Sequence, residues 1–248
     1  YIRRHTTGWD ALKKHARRYV PALVARRTGI PEEQIEATAR FIAGSKNTYF
    51  AWTMGVNHST QGTDTVSLIN TLALITGNIG RTGAAPMSIT GQCNAMGTRE
   101  FGFTASMPGY RKYDSDKDRA ELADLLGLRP EELPAQRGKA YPDIIDGILD
   151  GSIRGLWIIG TNPVVSFPDR TRLEKALSQL DFLVVQDGFH PTPTSEFAHL
   201  VLPAGMWGEK DGSYTNSERR ASRVKAGVSP PGKARTDFDI FLDIAGAL

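Results

Sequence analysis

Two continuous apolar runs constrain the fold of this chain more than any other feature of its sequence. The segments LWII at 156–159 and FLVV at 182–185 contain only apolar residues, whereas a strand with one solvated face alternates apolar and polar residues. Such runs are typical of parallel strands that helices cover on both faces. A helical segment at 170–180 separates the two runs, and a third strand, HLVLP at 199–203, follows a short helix. The alternation predicts an α/β fold with three layers, αβα, and a mainly parallel sheet.

A helical lead-in is predicted ahead of this sheet, over 1–46. Residues 10–19 form a basic helical stretch, and Pro31, in a first-turn position and followed by two glutamates, opens a second helix. From residue 48 the pattern predicts a β-loop-α unit, in which the turn-like GVNHSTQGTD joins a β-rich segment to an amphipathic helix that ends at GNIGRTG. We therefore assign 47–248 to the α/β domain.

Composition and charge exclude several classes of function. Among the 248 residues, Lys and Arg number 30 and Asp and Glu 27, and the resulting net charge of +3 is too small to indicate a nucleic-acid surface. No apolar run approaches the ~20 residues that span a bilayer. The single cysteine, Cys93, excludes an internal disulfide and a site built from several thiolates. Because His5, His190 and His199 also show no metal-ligand spacing, we expect no metal ligand in this chain. The single cysteine favours a reducing, cytoplasmic compartment.

Three loops are predicted to form one binding crevice. In open α/β sheets, ligands bind beyond the carboxyl ends of the strands. This rule places GTNP after Ile159, the pair Gln186 and Asp187, and PAGMWGEKDG after Leu202 along one rim. The glycine fingerprints of dinucleotide sites and P-loops are absent from the sequence, so a ligand other than NAD or ATP is indicated.

Six segments, in order along the chain, resemble one enzyme superfamily. They are WTMGVNHSTQGTD at 52–64, LALITGNIGRTGAAP at 72–86, SITGQCNAMGTREFG at 88–102, WIIGTNP at 157–163, VVQDGFHPTPTSEFAHLVLPAGMWGEKDGSYTNSERR at 184–220 and PGKARTDFDIF at 231–241. On these segments the chain is identified as a member of the molybdenum bis-pterin oxidoreductases of the dimethyl sulfoxide reductase superfamily. The resemblance implies a Rossmann-like domain that holds molybdopterin guanine dinucleotide.

The same resemblance implies that the chain is a central fragment of a larger catalytic subunit. The parent enzyme is expected to carry molybdenum bis(molybdopterin guanine dinucleotide) and a 4Fe-4S cluster, with the cluster and the protein ligand of molybdenum upstream of this chain. Its partners are expected to be the remaining domains of that enzyme, an electron donor protein or domain, and a small oxyanion substrate. Because those parts are missing here, we expect the chain alone to be inactive.

The segment at 88–102 favours nitrate as the substrate. Formate dehydrogenases of the superfamily typically carry an arginine before the Gly-Gln pair, where this chain has threonine. Assimilatory and periplasmic nitrate reductases typically have Thr-Gly-Gln-Pro and continue to an Arg-Glu pair. This chain matches them with TGQ at 90–92 and with Arg99 and Glu100, although Cys93 replaces the proline. The resemblance therefore implies reduction of nitrate to nitrite by oxygen-atom transfer.

The resemblance implies that five residues contact the dinucleotide: Asn162, Gln186, Asp187 and Lys210 of the three loops, and Asp237 nearer the end of the chain. The Asp187 carboxylate can accept the N1 and N2 hydrogens of guanine, with Gln186 beside it, or it caps a helix. Asn162 alternatively initiates an Asn-Pro turn. Lys210 can neutralise pyrophosphate or bind the guanine carbonyl, or it is an ordinary solvated lysine. Asp237 alternatively begins the last helix.

Two residues of the β-loop-α unit complete the implied cofactor contacts. Met54, at the end of the β-rich segment, matches a family methionine that lies against the metallopterin, and its alternative role is packing. His58 stands where nitrate reductases usually carry glutamine, and its ring offers a donor and an acceptor.

Arg99 is the predicted catalytic residue at the substrate. Nitrate is a planar anion, and a guanidinium fork can hold it by two hydrogen bonds while opposite charges attract. The alternative is a salt bridge with Glu100 or another surface acid.

Two other functions stay open. The first is a formate dehydrogenase or another oxyanion or oxo-transfer member of the superfamily. The second is a non-catalytic structural subunit of an electron-transfer complex, which the joint presence of Asn162, Asp187, Lys210 and Asp237 argues against.

Overall fold

A parallel three-stranded sheet forms the centre of the larger of two compact units. The computed structural model describes residues 1–103 and 105–248, and the chain divides into a first unit, 1–92, and a second unit, 93–248. The predicted boundary after residue 46 falls within the first unit and stays a prediction. In the two described ranges, no helix is long and apolar enough to cross a membrane.

The first unit consists of helices and a two-stranded parallel sheet. Its elements are α1 (Ile2–His5), α2 (Trp9–Ala16), α3 (Pro21–Thr28), α4 (Glu32–Gly44), β1 (Tyr49–Trp52), α5 (Met54–Asn57), α6 (Gly62–Ile75) and β2 (Ala85–Ser88). Tyr49 of β1 lies opposite Ala85 of β2. The β-rich segment was expected to reach Met54, but β1 ends at Trp52 because the chain turns at once into α5. Strand β2 was not predicted, since it is four residues long and contains Pro86.

The second unit has the predicted α/β character. Its elements are α7 (Ala95–Glu100), α8 (Asp116–Leu126), α9 (Tyr141–Leu149), β3 (Gly155–Ile159), α10 (Pro163–Ser166), α11 (Arg170–Leu177), β4 (Phe182–Asp187), β5 (Leu200–Pro203), β6 (Gly212–Thr215), β7 (Ala221–Val224) and α12 (Asp237–Ala247). Strands β3, β4 and β5 lie in that order and are all parallel, as predicted. Strands β6 and β7 form a separate antiparallel hairpin that was not expected.

Helices cover both faces of the β3–β4–β5 sheet. On one face, buried side chains of β3 and β4 pack with α9, α10 and α11, and the core consists of Ile145, Ile148, Ile158, Val164, Leu173, Ala176, Leu177, Leu180, Leu183 and Val185. Successive residues of a strand face opposite ways, so Trp157 lies on the other face. There its ring lies 5.4 Å from that of Phe241 in α12. The predicted three-layer arrangement is therefore present in this unit.

Candidate functional site

The carboxyl ends of β3, β4 and β5 form a rim in the second unit. Ile159 pairs with Gln186, and Gln186 pairs with Leu202, so the three strands end close to one level. Gly160 leaves β3 with a φ of +61°, which glycine adopts without steric penalty. Its N–H still donates to the Gln186 carbonyl at 2.8 Å. The strand ends therefore lie side by side, as the predicted crevice requires.

Gln186, Lys210 and Asp237 form one polar cluster on the face of the sheet that α12 covers. The Gln186 side chain is fully buried, and its Nε2 donates to Asp237 Oδ1 at 2.7 Å. Lys210 forms an ion pair with Asp237 Oδ2, and both side chains are about one-third exposed. Asp237 is also the first residue of α12, directly after the N-cap Thr236. The residue that begins the helix is therefore also a member of the polar cluster.

A buried acceptor in this cluster has no partner. Donation by Nε2 to a carboxylate fixes the orientation of the Gln186 carboxamide, and within the described ranges its Oε1 is buried without a hydrogen bond. An unsatisfied buried acceptor costs about 1–3 kcal/mol. The cluster therefore contains an acceptor that a further donor would stabilise.

Asn162 is held in place by a buried threonine from the loop after β4. Asn162 precedes α10, and its Oδ1 accepts from the N–H of Thr194 at 3.2 Å and from the hydroxyl at 2.6 Å. The same Thr194 hydroxyl oxygen accepts from the Val164 N–H at 3.1 Å. Because Oδ1 is engaged, the Nδ2 group is the part of Asn162 available to donate to a ligand. Thr194 was not predicted as a site residue, since the PTPT segment indicates only a turn.

Asp187 ends β4 and does not cap a helix. Its Oδ1 accepts from the Phe189 N–H at 3.0 Å, which closes a local turn of the kind aspartate favours. The side chain is half-buried. The helix N-cap alternative is therefore wrong, and the carboxylate stands at the strand end with its second oxygen available.

Arg99 lies on the short helix α7 and is exposed. Its neighbour Glu100 accepts a hydrogen bond from the Thr215 hydroxyl at 3.1 Å. Among the residues described, Arg99 forms no ion pair, so the salt bridge with Glu100 is not formed. Its guanidinium is therefore not neutralised by the adjacent acid.

Met54 and His58 flank helix α5 in the first unit. Met54 is its first residue and is half-buried, and His58 is its exposed C-cap. Asn57 fixes this segment, because its Oδ1 accepts from Trp52 Nε1 at 3.0 Å and its Nδ2 donates to the Ser88 hydroxyl at 3.2 Å. Asn57 thus joins β1 to β2 beside the two predicted residues, a role that no local sequence pattern indicated.

An acidic residue closes the hairpin β6–β7. Asp211, just before β6, accepts from the Ala226 N–H at 2.8 Å and pairs with Arg223 at 3.2 Å. These two contacts, of which the backbone hydrogen bond is the larger cause, lower the pKa of the Asp211 carboxyl from its ordinary value.

Across the residues that the structure describes, no three His, Cys, Asp or Glu side chains are grouped to hold a metal ion.

Comparison with known proteins gives one family. A family model described as molybdopterin oxidoreductase matches residues 35–247. All of this chain aligns at 40% identity with a nitrate reductase of Synechocystis sp., at 37% with the F420-dependent formate dehydrogenase subunit alpha of Methanocaldococcus jannaschii, and at 34% with the assimilatory nitrate reductase catalytic subunit of Bacillus subtilis. The chain covers 35%, 36% and 35% of these relatives, respectively.

A solved structure has the same fold. Acetylene hydratase from Pelobacter acetylenicus matches 99% of this chain and 36% of its own, with a TM-score of 0.62 and 17% sequence identity. At this identity the likeness concerns the fold alone. Together with the family match, it places the second unit's parallel sheet within a fold that is known in larger proteins.

Proposed function

The chain belongs to the molybdopterin oxidoreductase family, and from that premise we propose that it is the dinucleotide-binding part of a longer molybdenum enzyme that reduces nitrate to nitrite. The observation that carries the proposal is the rim of the β3–β4–β5 sheet, where an amide, a carboxylate and an ammonium group stand at adjoining strand ends and loops. The relatives named as nitrate reductases support nitrate as the substrate.

The side chains at the rim fit molybdopterin guanine dinucleotide in their chemistry. Asp187 offers carboxylate oxygens to the two N–H groups on the guanine edge. Lys210 and the Asn162 Nδ2 group are donors suited to a pyrophosphate. Gln186 and Asp237 hold Lys210 in its position through the cluster described above.

Arg99 is proposed to bind the substrate anion. When bound, the molybdenum pterin supplies the two-electron chemistry of oxygen-atom transfer. The task of Arg99 is to hold a planar oxyanion by a bidentate, charge-assisted contact. Met54 and His58 of the first unit are proposed as further cofactor contacts, and their support is the resemblance of the WTMGVNHSTQGTD segment.

The wider setting of the enzyme is also a proposal. Relatives about three times as long as this chain support further domains, which are proposed to carry a 4Fe-4S cluster and to meet an electron donor. A cytoplasmic location is proposed because the chain uses a single cysteine. The chain alone is expected to be inactive and to contain no molybdenum or iron.

The relative named as a formate dehydrogenase makes formate oxidation the second candidate. The deciding experiment uses the full-length enzyme that contains this chain, assayed for nitrate reduction with a reduced viologen dye and for formate oxidation with an oxidised one. Molybdenum and released guanine nucleotide are measured on the same preparation. We expect nitrate turnover and both components. Formate oxidation without nitrate reduction would exclude nitrate, and a preparation without guanine nucleotide would exclude the dinucleotide.

A further inference from the structure

One residue of the hairpin β6–β7 makes hydrogen bonds to both ends of helix α7. Thr215, the last residue of β6, donates its backbone N–H to Asn94 Oδ1 at 2.9 Å and its hydroxyl to Glu100 Oε2 at 3.1 Å. Thr215 is only 9% exposed, so water competes little for these bonds. The two contacts lie at the two ends of α7 and fix both of them to the same strand.

The held face of α7 lies opposite Arg99. An α-helix turns about 100° per residue, so Gly97 and Arg99 are about 160° apart around the axis, measured by the shorter arc. Glu100, which binds Thr215, lies about 60° from Gly97. The burial agrees with this geometry, because Gly97 is buried and Arg99 is exposed. The hairpin therefore contacts one side of the helix, and Arg99 projects from the other.

Glycine at 97 permits this close attachment. A Cβ at Gly97 would come within 2.9 Å of Asn94 Cγ, so any larger residue would displace the Asn94 carboxamide. Asn94 is the N-cap residue of α7, yet its side chain makes no capping hydrogen bond. Its Oδ1 is used for Thr215 instead. The usual local stabilisation of a helix start is replaced by a fixed link to the hairpin.

A helix as short as α7 does not hold its own orientation. It has six residues, and isolated helices below about 12–15 residues are marginal in water. Its direction must therefore be set by contacts outside the helix. Thr215 supplies hydrogen bonds at both ends and so connects the hairpin to α7.

We propose that Thr215 is a positioning residue that sets the orientation of Arg99, so that the hairpin β6–β7 tunes the affinity for the substrate anion without touching it. This inference rests on the proposed function, in which Arg99 binds that anion. Glu100 and Asn94 transmit the constraint from the hairpin to the helix. Thr215 thus influences substrate affinity at a site formed by another element.

The test uses steady-state kinetics of the full-length enzyme with nitrate. Thr215→Val removes the hydroxyl and keeps the shape. We expect KM for nitrate to rise about fivefold, less than the roughly tenfold to hundredfold that a whole hydrogen bond to a charged group is worth, because the hydroxyl orients Arg99 and does not itself bind nitrate. The values of kcat and molybdenum content should stay near those of the wild type. Thr215→Ser keeps the hydroxyl and should therefore keep most of the affinity for nitrate. Ser213→Ala, which removes an exposed hydroxyl from the same strand, is the matched control.

A double variant separates this inference from the proposed function. If Thr215 acts through Arg99, Thr215→Val should raise KM in the wild-type background and have no further effect in Arg99→Ala. If Arg99→Ala itself leaves KM unchanged, the proposed role of Arg99 fails, and the inference fails with it. If Arg99→Ala raises KM but Thr215→Val does not, only the inference fails. The inference would also be overturned if the rise in KM of the double variant were the product of the rises in the two single variants.

A second readout does not depend on activity. Hydrogen–deuterium exchange of the peptide that contains residues 95–101 should be faster in Thr215→Val than in the wild type, and Thr215→Ser should reverse the change. Glu100→Ala removes the acceptor of the same hydrogen bond and should increase the exchange rate equally. Glu100→Gln keeps an acceptor and should increase the exchange rate less. If Thr215→Val does not fold, the Glu100 pair decides the question. Unchanged exchange in Thr215→Val and in Glu100→Ala would show that the hairpin does not orient α7.

Discussion

Gln186, whose side chain has no exposed surface, donates its carboxamide to Asp237 over 2.7 Å and thereby ties the end of β4 to the start of α12. Asp237 in turn pairs with Lys210. The position of an ammonium group at the rim thus depends on a glutamine that lies beneath it. Gln186, proposed from the resemblance as a cofactor contact, also has this structural role.

Substitution of Gln186 should weaken both the fold and the cluster. Gln186→Leu removes a buried donor to a carboxylate, and hydrogen bonds to charged groups contribute about 1.5–3 kcal/mol. We expect the free energy of unfolding of this chain to fall by about that amount, as measured by urea denaturation with tryptophan fluorescence. The control is Gln179→Leu, at an exposed position. Equal stability of the two variants would show that the Gln186–Asp237 bond contributes nothing.

Loss of Asp187 should reduce cofactor retention in the full-length enzyme. Asp187→Ala leaves the guanine donors without their proposed acceptor, at a cost of about 1–3 kcal/mol. We expect the purified variant to contain less guanine nucleotide and molybdenum per protomer, measured by chromatography of the released nucleotide and by elemental analysis. Asp181→Ala is the control, because Asp181 lies directly before β4 at the opposite end of the strand and pairs with Arg154. Full cofactor content in Asp187→Ala would refute the guanine contact.

Loss of Arg99 should affect substrate affinity and leave cofactor content near normal. A charge-assisted contact of about 1.5–3 kcal/mol corresponds to a roughly tenfold to hundredfold rise in KM for nitrate in Arg99→Ala. Arg99→Lys keeps the charge but not the bidentate fork, so an intermediate KM is expected. Arg137→Ala, at another exposed arginine, should have no effect. Wild-type kinetics in Arg99→Ala would remove it from the substrate site.

The hairpin β6–β7 should lose protection in acid. The folded state lowers the pKa of Asp211 through the Ala226 N–H and Arg223. The stabilisation is therefore complete above the ordinary aspartate pKa of about 3.9 and disappears as the pH falls through the lowered value. Hydrogen exchange of peptides from 212–224, corrected for the intrinsic rate, should show this loss.

Asp211→Asn should make that hairpin less protected at neutral pH, and its difference from the wild type should vanish in acid. Asp143→Asn, an exposed position on α9, is the control and should leave the hairpin's exchange unchanged. A hairpin whose wild-type protection does not depend on pH would contradict the role of the Asp211 carboxylate.

Strands β3 and β4 were predictable because the apolar pattern of their sequences matches their burial in the sheet. The uninterrupted apolar residues of β3 and β4 indicated strands buried on both faces, and the structure places them next to each other in parallel. The hairpin was not predicted because ASRV at 221–224 is only four residues long and half of them are polar. Its attachment to α7 joins Thr215 to Asn94, which lies 121 positions earlier, and no local pattern encodes such a contact.

The candidate site shows the same division. Asp187 was placed at a strand end because the FLVV run ends two positions before it, and β4 does end at Asp187. The contacts that orient the site residues were not foreseen. Thr194 holds Asn162, and Asn57 holds the segment between Met54 and His58. Each of these partners is an ordinary polar residue whose role arises only when distant segments meet.

The chain order of β3, β4 and β5 affects how the sheet is completed during synthesis on the ribosome. Strands β4 and β5 each emerge after the neighbour they pair with is already present, so each pairing closes only the connection between consecutive strands. The helix that covers the Trp157 and Gln186 face, α12, is synthesised only after the hairpin. Until it emerges, that face of the sheet is bare, and exposed apolar surface of this kind promotes aggregation. Between the synthesis of β5 and that of α12, the nascent sheet therefore exposes the apolar surface that α12 later covers.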